Sequence, residues 1–262
     1  MLQEKMATIN SGGILVEVVR HQLVESVHSG HLAILDKNGK PILEIGDQEF
    51  LVYPRSAIKA IQASAMVRCG LDLDDELLAL VCASHAGSQI HQTNALKILA
   101  GGGLTEAALS NTPDKPLGLT ERKEWGDKKP TSLAANCSGK HAGMVVTAAI
   151  NNWDVGSYRD SNHPLQIACR EELEKLSGEK ISTISVDGCG APLFALTFSG
   201  LAQAIHHLMI SKDPIQQRVT SACRKYPEMV SGPGRLPTVA MQKVEGLFVR
   251  SEEHTSELQS RL

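Results

Sequence analysis

The sequence predicts an α+β fold in which an antiparallel sheet is flanked by helices. Two observations in the chain and one in its composition predict it. The first 46 residues carry three β-branched or apolar runs, two of them joined by an Asn-Gly turn. Helical spacing and helix-end signals then dominate the remainder, interrupted by small-residue turns. Apolar residues make up 42% of the chain but aromatics only 3%, with 22 glycines, so the core is built of Ala, Leu, Val and Ile in closely packed elements.

Residues 1–12 read as a loose leader. Ile14-Leu15-Val16-Glu17-Val18-Val19-Arg20 is a strand by its β-branched content. His31 to Asp36 is a second, Pro41 to Gly46 a third, and Asn38-Gly39 turns the chain between them. One antiparallel sheet is therefore expected before the helix that opens at Tyr53-Pro54-Arg55-Ser56, where Ile58, Ile61 and Ala65 mark an apolar face. Asp74 to Ala83 is a short helix capped by Asp74 or Asp72, ending in the turn Cys82-Ala83-Ser84-His85-Ala86-Gly87. His91 to Ala100 is helical and stops at three glycines. Residues 111–132, rich in Pro, Lys, Thr and Gly, read as a long surface loop, a feature that is often functional. Small residues from Asn136 lead into the apolar helix Val145 to Ile150. His163-Pro164 opens a helix to about Leu176, Ile181 to Val186 is a strand, and Asp187 to Pro192 a tight turn. Leu201 to Ile210 and Pro214 to Arg224 are helices, and Ser231 to Arg235 is a loop. No repeat or internal boundary divides residues 13–249, which read as one domain. Residues 250–262 differ in texture and resemble the translated adapter of a sequencing library. They are expected to be a non-native tail, with the native frame running on past residue 249.

The net charge of −3 and the lack of any basic run give nucleic-acid binding no support. No apolar stretch has the length of a membrane span. The first residues lack the apolar centre of a secretion signal. The six cysteines form no C-x-x-C and read as reduced thiols, which points to the cytoplasm.

Four places can carry chemistry. Ser56 and Lys59 stand one helical turn apart, so a neutral amine could take the hydroxyl proton for attack on a carbonyl. The same pair also reads as a helix cap and a solvated lysine, and Ser177-Gly178-Glu179-Lys180 repeats the spacing by accident. Ser84-His85 is a second hydroxyl beside an imidazole, or a helix-end serine with a surface histidine. Cys137-Ser138-Gly139-Lys140-His141 and Asp187-Gly188-Cys189 hold four candidate zinc ligands, Cys137, His141, Asp187 and Cys189, without zinc-finger spacing. Buried structural thiols are the plainer reading. Lys140, three residues after Cys137, can ligate metal only as a neutral amine.

Taken in order, Arg55-Ser56-x-x-Lys59, Ser84-His85-x-Gly87, Cys137-Ser138-Gly139-Lys140-His141 and Asp187-Gly188-Cys189-Gly190 resemble the thermolabile L-asparaginase II family of the Rhizobium etli type. Glu25 to Gly30 and Gly234-Arg235 fit as well, and the resemblance runs from about Ile14 to about Met241. It implies a fold similar to serine β-lactamases and penicillin-binding proteins, with a helical subdomain and the nucleophile opening a central helix. It implies hydrolysis of L-asparagine to L-aspartate and ammonia, with Ser56 as nucleophile, Lys59 as general base and Ser84 in the same proton relay. Cys137, Lys140 and Cys189 match the family's zinc site, with His141 and Asp187 beside it. Arg55, His141 and Asp187 are the substrate-binding candidates, and a homodimer is implied. The resemblance also calls for a further lysine paired with Ser84 near the C-terminus, and nothing after Met241 matches it. This chain is therefore expected to turn over poorly and to be poorly soluble. Two other readings stay open. A β-lactamase or penicillin-binding-type acyl enzyme lacks support from Ser-Asp-Asn or Lys-Thr-Gly motifs. A non-catalytic zinc or thiol sensor would use Cys137 and Cys189.

Overall fold

The computed structural model describes residues 12–250. The leader except Gly12, and all of the adapter-like tail but Arg250, lie outside the described residues. The first strand, β1 (Gly13–Arg20), pairs with β2 (Leu23–Gly30) through a two-residue turn in which His21 and Gln22 both have positive φ, 47° and 70°. That is the backbone of a type I′ hairpin, built here without its usual Asn-Gly. β3 (Leu32–Leu35) and β4 (Pro41–Ile45) form the hairpin that Asn38-Gly39 marks. The single sheet expected from these runs is a correction to make. Among the described residues the two hairpins are separate two-stranded ribbons, because β1 takes β2 as its partner rather than β3. A third sheet, in the order β5-β7-β6, joins β5 (Leu51–Val52), β6 (Thr183–Val186) and β7 (Pro192–Thr197), all antiparallel. Central β7 begins at Pro192, where a missing N–H breaks no ladder, and its Phe194 and Leu196 are buried.

A short 3₁₀ turn, Arg55–Ile58, runs into α1 (Lys59–Arg68). The expected single apolar face is too narrow a description, since every residue from Lys59 to Met66 is buried. Ala60, Ala63 and Ala65 let other helices close around α1 on all sides. They are α5 (Ser138–Ile150), α6 (Pro164–Ser177) and α8 (Pro214–Lys225). Between them lie α2 (Asp75–Val81), capped by Asp74 through Leu77 N–H at 2.9 Å, and α3 (Gln89–Gly101). The long loop expected at 111–132 contains α4 (Leu119–Trp125) and is closed by a bridge between Asp114 and Thr131. Its proline, glycine and lysine content masks a helix of only two turns. α7 (Phe198–Ile210) follows β7 directly, with the Thr197 hydroxyl accepting from Gly200 N–H at 2.9 Å. The short helices α9 (Pro227–Val230) and α10 (Leu236–Lys243) complete the layer behind α2.

Where α5 crosses α2, Gly139 leaves no room for a side chain, since a Cβ there would lie 2.5 Å from the Leu80 carbonyl oxygen. The contact is with backbone, which cannot rotate away. Gly139→Ala is expected to cost about 2–3 kcal/mol by forcing the helices apart, read as a fall of roughly 5–10 °C in thermal unfolding. An unchanged melting temperature would show that the crossing is looser than described.

Candidate active site

Pro54 opens the 3₁₀ turn, and Arg55 follows with φ +45°, a left-handed conformation rare for a residue with a Cβ. The bend points Ser56 and Lys59 onto the floor of a cavity of about 310 Å³. Both are buried, at 5% and 2% exposure. The Lys59 ammonium nitrogen Nζ lies 2.6 Å from the Ala83 carbonyl and 2.9 Å from Ser84 Oγ. Burial is the main force pulling Lys59 down to about 8, and the Lys140 and Arg250 charges add to it against the two sulfurs of Cys137 and Cys189. An amine so placed holds a substantial neutral fraction near physiological pH. The solvated-lysine reading therefore does not describe it.

The Ser84 turn is held by main-chain bonds, from Ser84 N–H to Val230 O at 3.0 Å and from His85 N–H to Asn136 O at 3.0 Å. His85 is fully buried, so the surface imidazole expected as one alternative is not what the fold makes of it. Arg250 donates to Ser84 Oγ at 3.2 Å and to Ser56 O at 3.1 Å. A cation thus reaches Ser84 from the position read as the first of the tail. A guanidinium supplies charge but cannot exchange a proton.

Cys137 caps α5 and Lys140 lies one turn further in, so both point into the same space. The turn after β6 brings Cys189 to meet them, closed by bonds from Asp187 N–H to Ala191 O and from Gly190 N–H to Asp187 O, both 2.8 Å. Gly190 has φ +84°, as that turn requires. Lys140 Nζ is 3.5 Å from Cys189 Sγ. Burial disfavours the Lys140 ammonium, but Cys189, Cys137 and Asp187 outweigh it and hold its pKa above the usual value. The Cys137 thiol donates to Cys189, which raises Cys137 and lowers Cys189 towards a thiolate beside Lys140.

His141 is fully buried, with Nδ1 2.8 Å from the Tyr158 hydroxyl, and burial pushes it down to about 4. It backs the cluster and does not line the cavity, unlike Arg55 and Asp187. One ligand atom each from Cys137, His141 and Cys189 lies within 4.8 Å of the others, and His141 Nε2 has no hydrogen-bond partner. Two sulfurs and a bare buried nitrogen, its ring held through the other nitrogen, are a donor set that fits zinc.

Arg55 Nη2 donates to Asp187 Oδ1 at 2.9 Å across the cavity, joining residues 132 apart in sequence. Thr112, Pro113, Asp114 and Asn136 complete the cavity wall, and the first three lie outside the motifs. The only signal for the first three was the length of the loop carrying them. Thr112 N–H bonds Cys189 O at 3.4 Å and so ties that wall to the thiol turn. Ser177 ends α6, with Gly178 left-handed after it, far from any such arrangement.

A search among curated proteins gave no match. The model of the L-asparaginase II family matches residues 16–251, which spans the nucleophile turn, both thiol turns and Arg250. With most of its length matched, three of the four motifs lining one cavity and the fourth bonded to it through Ser84 and Lys59, the chain belongs to the L-asparaginase II family.

Proposed function

We propose that the chain is an amidohydrolase that hydrolyses L-asparagine to L-aspartate and ammonia through an acyl-enzyme on Ser56. The observation that carries this reading is a buried serine and a buried, partly neutral lysine sharing the floor of one cavity in a chain of this family. Lys59 Nζ takes the Ser56 proton as Oγ bonds to the side-chain amide carbon. The tetrahedral oxyanion collapses, the C–N bond breaks, and the proton passes to the leaving nitrogen, with Ser84 as relay. Water then cleaves the aspartyl ester. Arg55 suits the substrate's α-carboxylate and Asp187 its α-ammonium, so a zwitterion exchanges their mutual ion pair for two new ones. A nucleophile opening a buried helix is also the arrangement of serine β-lactamase-like folds, the relationship we favour.

Cys137, Cys189 and the His141 Nε2 gathered beside them would hold zinc, and Lys140, 3.5 Å from Cys189 Sγ, would join them by losing its proton. Zinc, when bound, supplies positive charge that favours neutral Lys59 and positions the substrate. We take the protein to be cytoplasmic and homodimeric. The cation beside Ser84 is Arg250, which cannot take up a proton, so slow deacylation is expected and turnover is low.

The test is ammonia release from L-asparagine under single-turnover conditions. About one ammonia per chain is expected. No release from asparagine, with covalent capture of a β-lactam instead, would transfer the site to the acyl-enzyme alternative. Cys189→Ser is expected to weaken zinc binding by at least about 100-fold in competition with a chromophoric chelator. Unchanged affinity would remove zinc from this site, and lost zinc with intact acylation would make it structural.

A further inference from the structure

His85 is fully buried, takes no part in the steps above, and has both ring nitrogens engaged. Gly87 N–H lies 3.1 Å from Nδ1 and can only donate, so Nδ1 is the acceptor and the proton resides on Nε2. Nε2 lies 3.0 Å from Ser138 Oγ, which must then accept. The ring stacks on His91 at 4.8 Å and 11°. His91 is fixed in the same tautomer, because its Nε2 faces the Glu228 carbonyl at 2.9 Å and the Ser88 hydroxyl lies 2.6 Å from Nδ1. Backbone groups thus set both rings as neutral donors through Nε2. Any buried imidazole must satisfy both ring nitrogens, so what marks His85 is which parts of the site its two partners connect.

These bonds join the two halves of the site. The turn with His85 carries Ser84, whose hydroxyl must stay 2.9 Å from Lys59 Nζ. Ser138 is the first residue of α5, next to Cys137 and half a turn before Lys140. Apart from the main-chain bond between His85 and Asn136, the His85–Ser138 contact is the direct hydrogen bond between this turn and the start of α5 among the described residues. We propose that His85 is a positioning residue that locks the Ser84 turn onto the first turn of α5 and so fixes the spacing between the base side and the thiol side of the site. Its catalytic consequence rests on the asparaginase reading.

The test uses Ser138→Ala, which removes the acceptor, and His85→Asn, which can still accept from Gly87 N–H but falls short of Ser138. Exchange of the His85 amide hydrogen is expected to quicken about tenfold in each. Single-turnover acylation by asparagine is expected to slow by about tenfold, with half-saturation changed by less than about twofold. The double variant is expected to be no worse than the poorer single, since both remove one link. ¹⁵N NMR is expected to place the His85 proton on Nε2. Unchanged amide exchange in Ser138→Ala, a proton on Nδ1, or effects that multiply in the double variant would overturn the proposal. If the unaltered chain is not acylated by asparagine, the asparagine reading fails by itself, and the exchange and NMR results still decide the role of His85.

Discussion

Ser56→Ala is expected to abolish acylation, with the single-turnover rate falling by at least about 10⁴-fold to background. The effect is this large because, among the described residues, no other hydroxyl lining the cavity has a helix start behind it and a lysine one turn on. Ser84 does not line the cavity, and its oxygen accepts from Arg250 and meets Lys59 Nζ. Folding should be intact, since Ser56 is a small buried residue and alanine fits its place. Ser56→Ala retaining full acylation would move the nucleophile elsewhere.

The second large effect belongs to Lys59. Lys59→Arg is expected to lower acylation by about 10²–10⁴-fold, because a guanidinium keeps its charge and cannot serve as base. In the unaltered chain the acylation rate should rise with pH and level off above about 8, the value to which burial brings this amine. The sign for stability follows from the same shift. The folded pKa is lowered from 10.5 to about 8, so the unfolded chain binds more protons between those values and stability rises with pH across that window. Below about 8 the buried ammonium is a standing cost, at most about 3 kcal/mol for a shift of this size. Lys59→Met should therefore lose acylation while melting higher at pH 7, and that gain should shrink in melts above pH 8. A bell centred well below pH 7, or a rate flat from pH 6 to 10, would show that Lys59 is not the base.

Elements fixed by local chemistry were legible in the chain. The β1 run, the Asn38-Gly39 hairpin, the Asp74 cap and the His163-Pro164 helix start all appear where short-range rules put them. The partition of the strands was not legible, because it depends on β2, whose polar residues hide its period and whose turn uses His21 and Gln22. The central strand β7 went unread beside the turn residues that precede it. The site divides along the same line. Ser56 with Lys59 and Cys137 with Lys140 are neighbours on a helix, so their spacing carried the geometry. The Arg55–Asp187 pair, the wall at Thr112 to Asp114, the burial of His85 and the approach of Arg250 are long-range contacts that no local pattern encodes. The resemblance placed His141 with the substrate, whereas α5 turns it away from the cavity and onto Tyr158.

Mass spectrometry of the chain, quenched in acid during reaction with L-asparagine, tests the central claim most directly. The expected result is an aspartyl ester on the peptide containing Ser56, absent from Ser56→Ala, and formed together with about one equivalent of ammonia. Ammonia released with no covalent adduct, or an adduct carried on any other residue, would contradict it.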